Sequence, residues 1–148
     1  MKVSEQPAVN VKAPMCPSRG VLEHVTSRWG VLVLAALVER SYRFSELRRE
    51  VGGVSEKMLA QTLQTLERDG FLLRDAKPVI PPRVDYSLTE LGREAAEQVY
   101  ALARWTERRT ADVQAARAAY DGAPGARSAT RRPGSGGGGG PPPPRSGV

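Results

Sequence analysis

The sequence predicts a mainly α-helical domain with a small β-hairpin, on three observations. Residues 43–88 read in order as a short helix, a glycine-bearing turn, a second helix, and two strands joined by a proline-bearing loop. Apolar residues make up 40% of the chain but aromatic ones only 5%, so leucine, valine and alanine must build the core. A length of 148 residues leaves room for one domain of ordinary size plus tails. This order of elements is the plan of a winged helix-turn-helix, in which one helix enters a DNA groove and a hairpin flanks it.

Each element has its own local reason. Residues 1–14 carry Pro7 and Pro14 without periodicity and are expected to form a flexible arm. Pro17 suits the first turn of a helix over 17–27, where Val21, Leu22 and Val25 recur at helical spacing. Residues 29–38 are almost wholly apolar, which predicts the central helix. Ser45 is expected to cap a short third helix over 46–51, ended by Gly52 and Gly53. Ser55 is the cap of a fourth helix that runs to Asp69, with Gly70 closing it. Strands are expected over 71–74 and 84–88, and Pro78, Pro81 and Pro82 exclude regular pairing between them. Thr89 caps a long last helix from Glu90 to about Arg109, with an extension reaching Tyr120. The expected layout is thus a domain over 15–110, a helical extension over 111–121 and a disordered tail over 122–148. The glycine and proline runs of that tail cannot bury apolar surface.

A net charge of +6 invites a nucleic-acid partner, but Arg127, Arg131, Arg132 and Arg145 all lie in the tail. Up to Asp121 there are 18 basic and 16 acidic residues, a net charge of +2, so local placement has to carry the argument. The longest apolar run, 31–38, is far short of the ~18 residues of a membrane helix. No apolar leader follows Lys2, so no membrane partner and a cytoplasmic location are expected. His24 has no companion at metal-ligand spacing, and the glycine run at 136–140 lacks the strand, helix and lysine of a phosphate loop. Glu94 and Glu97 suit a solvated helix face, so neither a metal, a cofactor nor an enzymatic activity is expected.

The fourth helix carries the most specific pattern. Leu59, Leu63 and Leu66 fall on one side of it at ~100° per residue, and Lys57, Gln61, Gln64 and Arg68 occupy the other. A glutamine amide matches an adenine edge, and lysine or arginine matches guanine or phosphate. Ser55 at its start is placed to donate to a phosphate, helped by the unpaired backbone N–H groups there. The same residues also suit a plain solvated face; the preceding helix, the turn and the following hairpin favour the reading helix. The loop between Lys77 and Arg83 is the expected wing, with Arg83 stiffened by two prolines and directed to the minor groove or phosphates. An ion pair with Asp85 or Asp75 is the alternative for Arg83. Arg43, Ser45, Arg48 and Arg49 surround the third helix as candidate backbone contacts, with pairing to Glu46 and Glu50 the alternative.

Five motifs recur in order: Cys16-Pro17, Arg28-Trp29 opening an apolar helix, RFSELRR at 43–49, SEKMLAQTLQTLERDG at 55–70 and PPRVDYSLTELG at 81–92. Together they resemble the HxlR-type winged-helix transcriptional regulators of bacteria, over residues 16–108. The resemblance implies a homodimer on double-stranded DNA at an operator with two-fold pseudo-symmetry, with the reading helices about 34 Å apart. It implies an interface in which Val21, Leu22 and Val25 meet Val99, Leu102 and Trp105 of a second copy. Packing of those last three on their own domain is the alternative. Several members sense oxidants, quinones or aldehydes through a cysteine at this N-terminal place, which makes Cys16 a candidate redox sensor. A thiol at a helix start has its pKa lowered, although cysteine also packs as a small hydrophobe. With one cysteine in the chain, a disulfide has to be intersubunit or formed with a small thiol. The chain departs from the family at Ser27-Arg28, where glycine or lysine is frequent, and after Thr110, where it has no counterpart. The expectation is a sequence-specific dimeric DNA-binding regulator, a repressor on family grounds, released by an electrophile, oxidant or small ligand. A winged-helix protein-interaction module without sequence-specific DNA binding is the alternative that the mild charge of the body keeps open.

Overall fold

The computed structural model describes residues 10–123. The elements follow as α1 (Pro17–Val25), α2 (Arg28–Glu39), β1 (Tyr42–Arg43), α3 (Phe44–Glu50), α4 (Glu56–Arg68), β2 (Leu72–Lys77), β3 (Arg83–Leu88) and α5 (Glu90–Gly122). The chain divides into two units, Met1–Glu107 and Arg108–Val148. The core belongs to the first; the described residues of the second are the C-terminal turns of α5. The expected glycine- and proline-rich tail from 124 onward, and the arm before residue 10, lie outside the described residues.

α2 is the centre because its sequence leaves it no polar face to expose. Val33, Leu34 and Leu37 are fully buried, and Leu47 from α3 and Leu59, Leu63 and Leu66 from α4 close over them. Each such side chain contributes roughly 1.5–3 kcal/mol on burial. No polar or charged side chain is buried among the described residues. No single described helix is long and apolar enough to cross a membrane.

The sheet is antiparallel with strand order β1-β3-β2, so the expected hairpin gains a third strand. β1 is only two residues long, too short to show a period in the sequence; Tyr42 opposes Tyr86 and Arg43 opposes Asp85. Burial of Tyr42 fixes it there, with the Arg40 guanidinium 3.8 Å from its ring centroid. The hairpin ladder is also longer than 71–74 and 84–88, running from Leu72 opposite Leu88 to Lys77 opposite Arg83. The prolines interrupt nothing, because all of them fall in the five-residue tip 78–82, where the Ile80–Pro81 peptide is cis.

Ser45 does not cap α3. The helix starts one residue earlier, at Phe44, and the Glu46 carboxylate accepts the Arg43 backbone N–H at 2.9 Å. That bond holds the Glu46 carboxyl below the usual carboxylate range. A reciprocal acid at the third helical position thus outweighs the serine as the start signal. Ser55 does cap α4, accepting the Met58 N–H at 3.1 Å. α4 ends at Gly70, whose φ of +85° is a left-handed conformation that glycine adopts without strain. Phe71 and Gly70 there donate back to the carbonyls of Leu66 and Glu67.

α5 is anchored to the end of α4 by Thr89. Its hydroxyl donates to the Gly70 carbonyl at 2.6 Å and accepts the Gly92 N–H at 2.9 Å. Gly92 lies so close to the Phe71 carbonyl that a Cβ there would be 1.9 Å from its oxygen. Thr89 and Gly92 therefore lock the start of α5 against the turn that closes α4.

Candidate nucleic-acid interface

α4 sorts its side chains by face as the leucine spacing requires. Leu59, Leu63 and Leu66 are buried, while Ser55, Lys57, Gln61, Gln64 and Arg68 are exposed. The helix carries no acidic residue at positions 57–66, and its exposed polar side chains there are Lys57, Gln61 and Gln64. At its entrance, Arg48 of α3 pairs with Glu56 at 3.5 Å, which ties the two helices of the helix-turn-helix together. Gly53, with φ +90°, makes the turn between them. Arg43, Ser45 and Arg49 are exposed beside this pair.

The wing brings Lys77 and Arg83 directly opposite each other at the end of the ladder. Both are engaged. Lys77 Nζ donates to Asp75 Oδ2 at 2.6 Å and lies 3.7 Å from Asp85, and Arg83 Nε donates to Asp85 Oδ1 at 3.1 Å. The Asp75 hydrogen bond raises the Lys77 pKa, and the Arg83 hydrogen bond lowers that of Asp85. The ion pair weighed for Arg83 in the sequence is thus present, and Lys77 shares it. Beyond them the tip exposes Val79 and Ile80 between the prolines.

On the side of α1 and α5, the expected contact residues line a groove of about 520 Å³. Val21, Leu22 and Leu102 stand exposed along it, Val25 is half-buried, and Val99, only 5% exposed, forms its floor from the core. Trp105 is exposed further along α5. Cys16 occupies the cap position of α1 with its Sγ 3.0 Å from the Ser18 hydroxyl. That hydrogen bond is the main cause of a thiol pKa below the ordinary value.

His24 has no companion at metal-ligand spacing in the sequence, and the fold places its Nδ1 2.5 Å from Asp69 Oδ2, joining α1 to the C-terminus of α4. The pair is 45 residues apart, and nothing local signals it. Arg28, at the start of α2, carries no signal in the sequence beyond its place in the Arg28-Trp29 motif. It stands against α4 in a groove shared with Gln61.

A buried helix face backed by leucine, an exposed amide and basic face, and a flanking ladder define a winged helix-turn-helix protein of the kind that regulates transcription. The HxlR-like helix-turn-helix family model matches residues 24–114. The HTH-type transcriptional regulator YtfH of Escherichia coli K12 is 63% identical over 108 residues, covering 73% of this chain and 86% of that protein. The solved structure of the transcriptional regulator YtfH from Salmonella typhimurium superposes with a TM-score of 0.71 at 59% identity, covering 74% of this chain and 98% of that one. The redox regulator HypR in its oxidized form superposes with a TM-score of 0.59 at 32% identity, covering 63% of this chain and 96% of that one. The chain belongs to the HxlR-like helix-turn-helix family and is a transcriptional regulator, not an enzyme.

Proposed function

We propose that this regulator is a cytoplasmic homodimeric repressor that reads a pseudo-palindromic operator with α4 in the major groove and the wing alongside. The observation that carries the proposal is the split face of α4: three leucines buried, and Lys57, Gln61, Gln64 and Arg68 exposed. Lys57, Gln61 and Gln64 supply base discrimination, while Arg43, Ser45, Arg48, Ser55, Lys77 and Arg83 supply contacts to the backbone. The apolar groove between α1 and α5 suits a second copy, whose α1 and α5 would cover Val21, Leu22 and Leu102. A gel-shift series with the gene's own upstream region tests the reading. A salt-sensitive, sequence-selective complex is expected, and its absence would favour the protein-interaction alternative.

Release is assigned to Cys16. Its lowered thiol pKa and cap position favour thiolate chemistry with an electrophile or oxidant, and the structurally similar HypR is a redox regulator. Thermal shift with quinones or aldehydes should move the wild type and leave Cys16→Ser unmoved. An equal shift in both would assign release to a ligand in the α1–α5 groove.

A further inference from the structure

A groove of about 340 Å³ separates the start of α2 from one flank of α4. Its walls include Arg28 and Trp29 on one side and Met58, Gln61, Thr62 and Thr65 on the other. At ~100° per residue, the last three α4 positions apart from Gln61 lie about 40–100° round the helix from it, on the flank adjoining the exposed amide row. An α-helix with its side chains is about 10–12 Å across and the major groove about 12 Å wide. A helix seated in that groove therefore brings its flanks against the sugar–phosphate walls.

Arg28 stands at this flank. Its guanidinium carbon lies 4.5 Å from the Trp29 ring centroid. No carboxylate of the described residues pairs with it, whereas Lys77 and Arg83 of the wing are both held by aspartates. Stacking uses the face of a guanidinium and leaves its in-plane N–H fork open, which is the geometry that grips two oxygens of one phosphate. The ring also restrains the side chain, so less rotamer freedom is lost on contact.

We propose that Arg28 is a DNA-binding residue that clamps the backbone phosphate bordering the α2 flank of the reading helix. The proposal rests on α4 being the reader. A free inorganic anion offers the same phosphate chemistry, and the test separates the two sources.

Full-length wild type, Arg28→Ala and Arg28→Lys are compared by fluorescence anisotropy on a duplex from the gene's own upstream region over a salt series. Arg28→Ala should weaken selective and non-selective duplexes alike by roughly tenfold, the worth of one charge-assisted bond. The slope of log affinity against log salt should fall by about one, with base preference unchanged. Arg28→Lys should restore the slope but only part of the affinity, because the charge returns without the planar fork. Should Arg28→Ala lower the Tm, Arg28→Gln serves instead, since its amide still packs on Trp29. An unchanged slope beside a selective wild-type complex overturns the inference and leaves the reading helix intact. No selective complex in the wild type overturns the reading itself. Inorganic phosphate that raises the Tm of wild type but not of Arg28→Ala, together with an unchanged DNA slope, assigns the groove to a small anion and overturns the clamp.

Discussion

The reading helix and the wing carry the same kinds of cation and hold them in opposite ways. On α4, Lys57 and Arg68 have no ion-pair partner among the described residues. On the wing, Lys77 and Arg83 are tied to Asp75 and Asp85. A phosphate approaching α4 gains a charge contact outright. At the wing it has to displace a carboxylate, and the gain is only the difference between two similar pairs. The proposed DNA reading therefore assigns affinity and selectivity to the helix, and to the wing the part of a charge-balanced guide that fixes orientation.

The sharpest way to break this division is to remove the seat of the helix. Leu63 is 1% exposed, and Leu63→Ala should cost about 2–5 kcal/mol of stability through lost burial and a cavity. Thermal denaturation measures that loss, and substitutions at Arg83 should leave the Tm nearly unmoved. Next in size is Gln61→Ala, which should leave stability unchanged and relax discrimination at one base pair by about 1–3 kcal/mol. A panel of single-base operator variants reads it. A uniform loss across the panel would move the reading face away from Gln61.

These two residues also mark what was legible in the sequence. The leucine stripe, the Ser55 cap and the turn at Gly70 are local, so the periodicity of α4 gave both its buried and its exposed face. The sheet was legible only in part, because β1 has two residues and joins through Tyr42, a contact made 44 positions along the chain at Tyr86. The start of α3 was misplaced because two local signals competed and the Glu46–Arg43 bond prevailed over the serine. The His24–Asp69 pair and the Arg28 groove depend on helices meeting across the core. No spacing rule finds such contacts. The wing cations were visible, and so was an acidic partner for Arg83; that Lys77 would share it depended on the ladder continuing to its last pair.

That last pair gives the smaller predictions. Arg83→Ala should weaken all duplexes evenly and by less than Arg28→Ala, because its DNA contact forms at the expense of the Asp85 bond. Asp85→Asn should do the reverse, tightening every duplex slightly and steepening the salt dependence, since both Lys77 and Arg83 lose a competing carboxylate. The pH dependence follows from the direction of the Asp85 shift, which is downward, caused first by the Arg83 hydrogen bond. A carboxylate lowered in the folded state contributes its pairing above the unfolded pKa and loses it as pH falls through the folded value. From about pH 8 to about pH 5, Asp85 stays ionised and the affinity ratio of Asp85→Asn to wild type should be flat. Only below the ordinary carboxylate range should the two converge, as protonation in the wild type does what the substitution does in the variant. Anisotropy on one duplex across that range measures the ratio. Convergence near neutrality would mean that a different group restrains the wing, and the contrast between a charge-balanced wing and an open helix would no longer rest on Asp85.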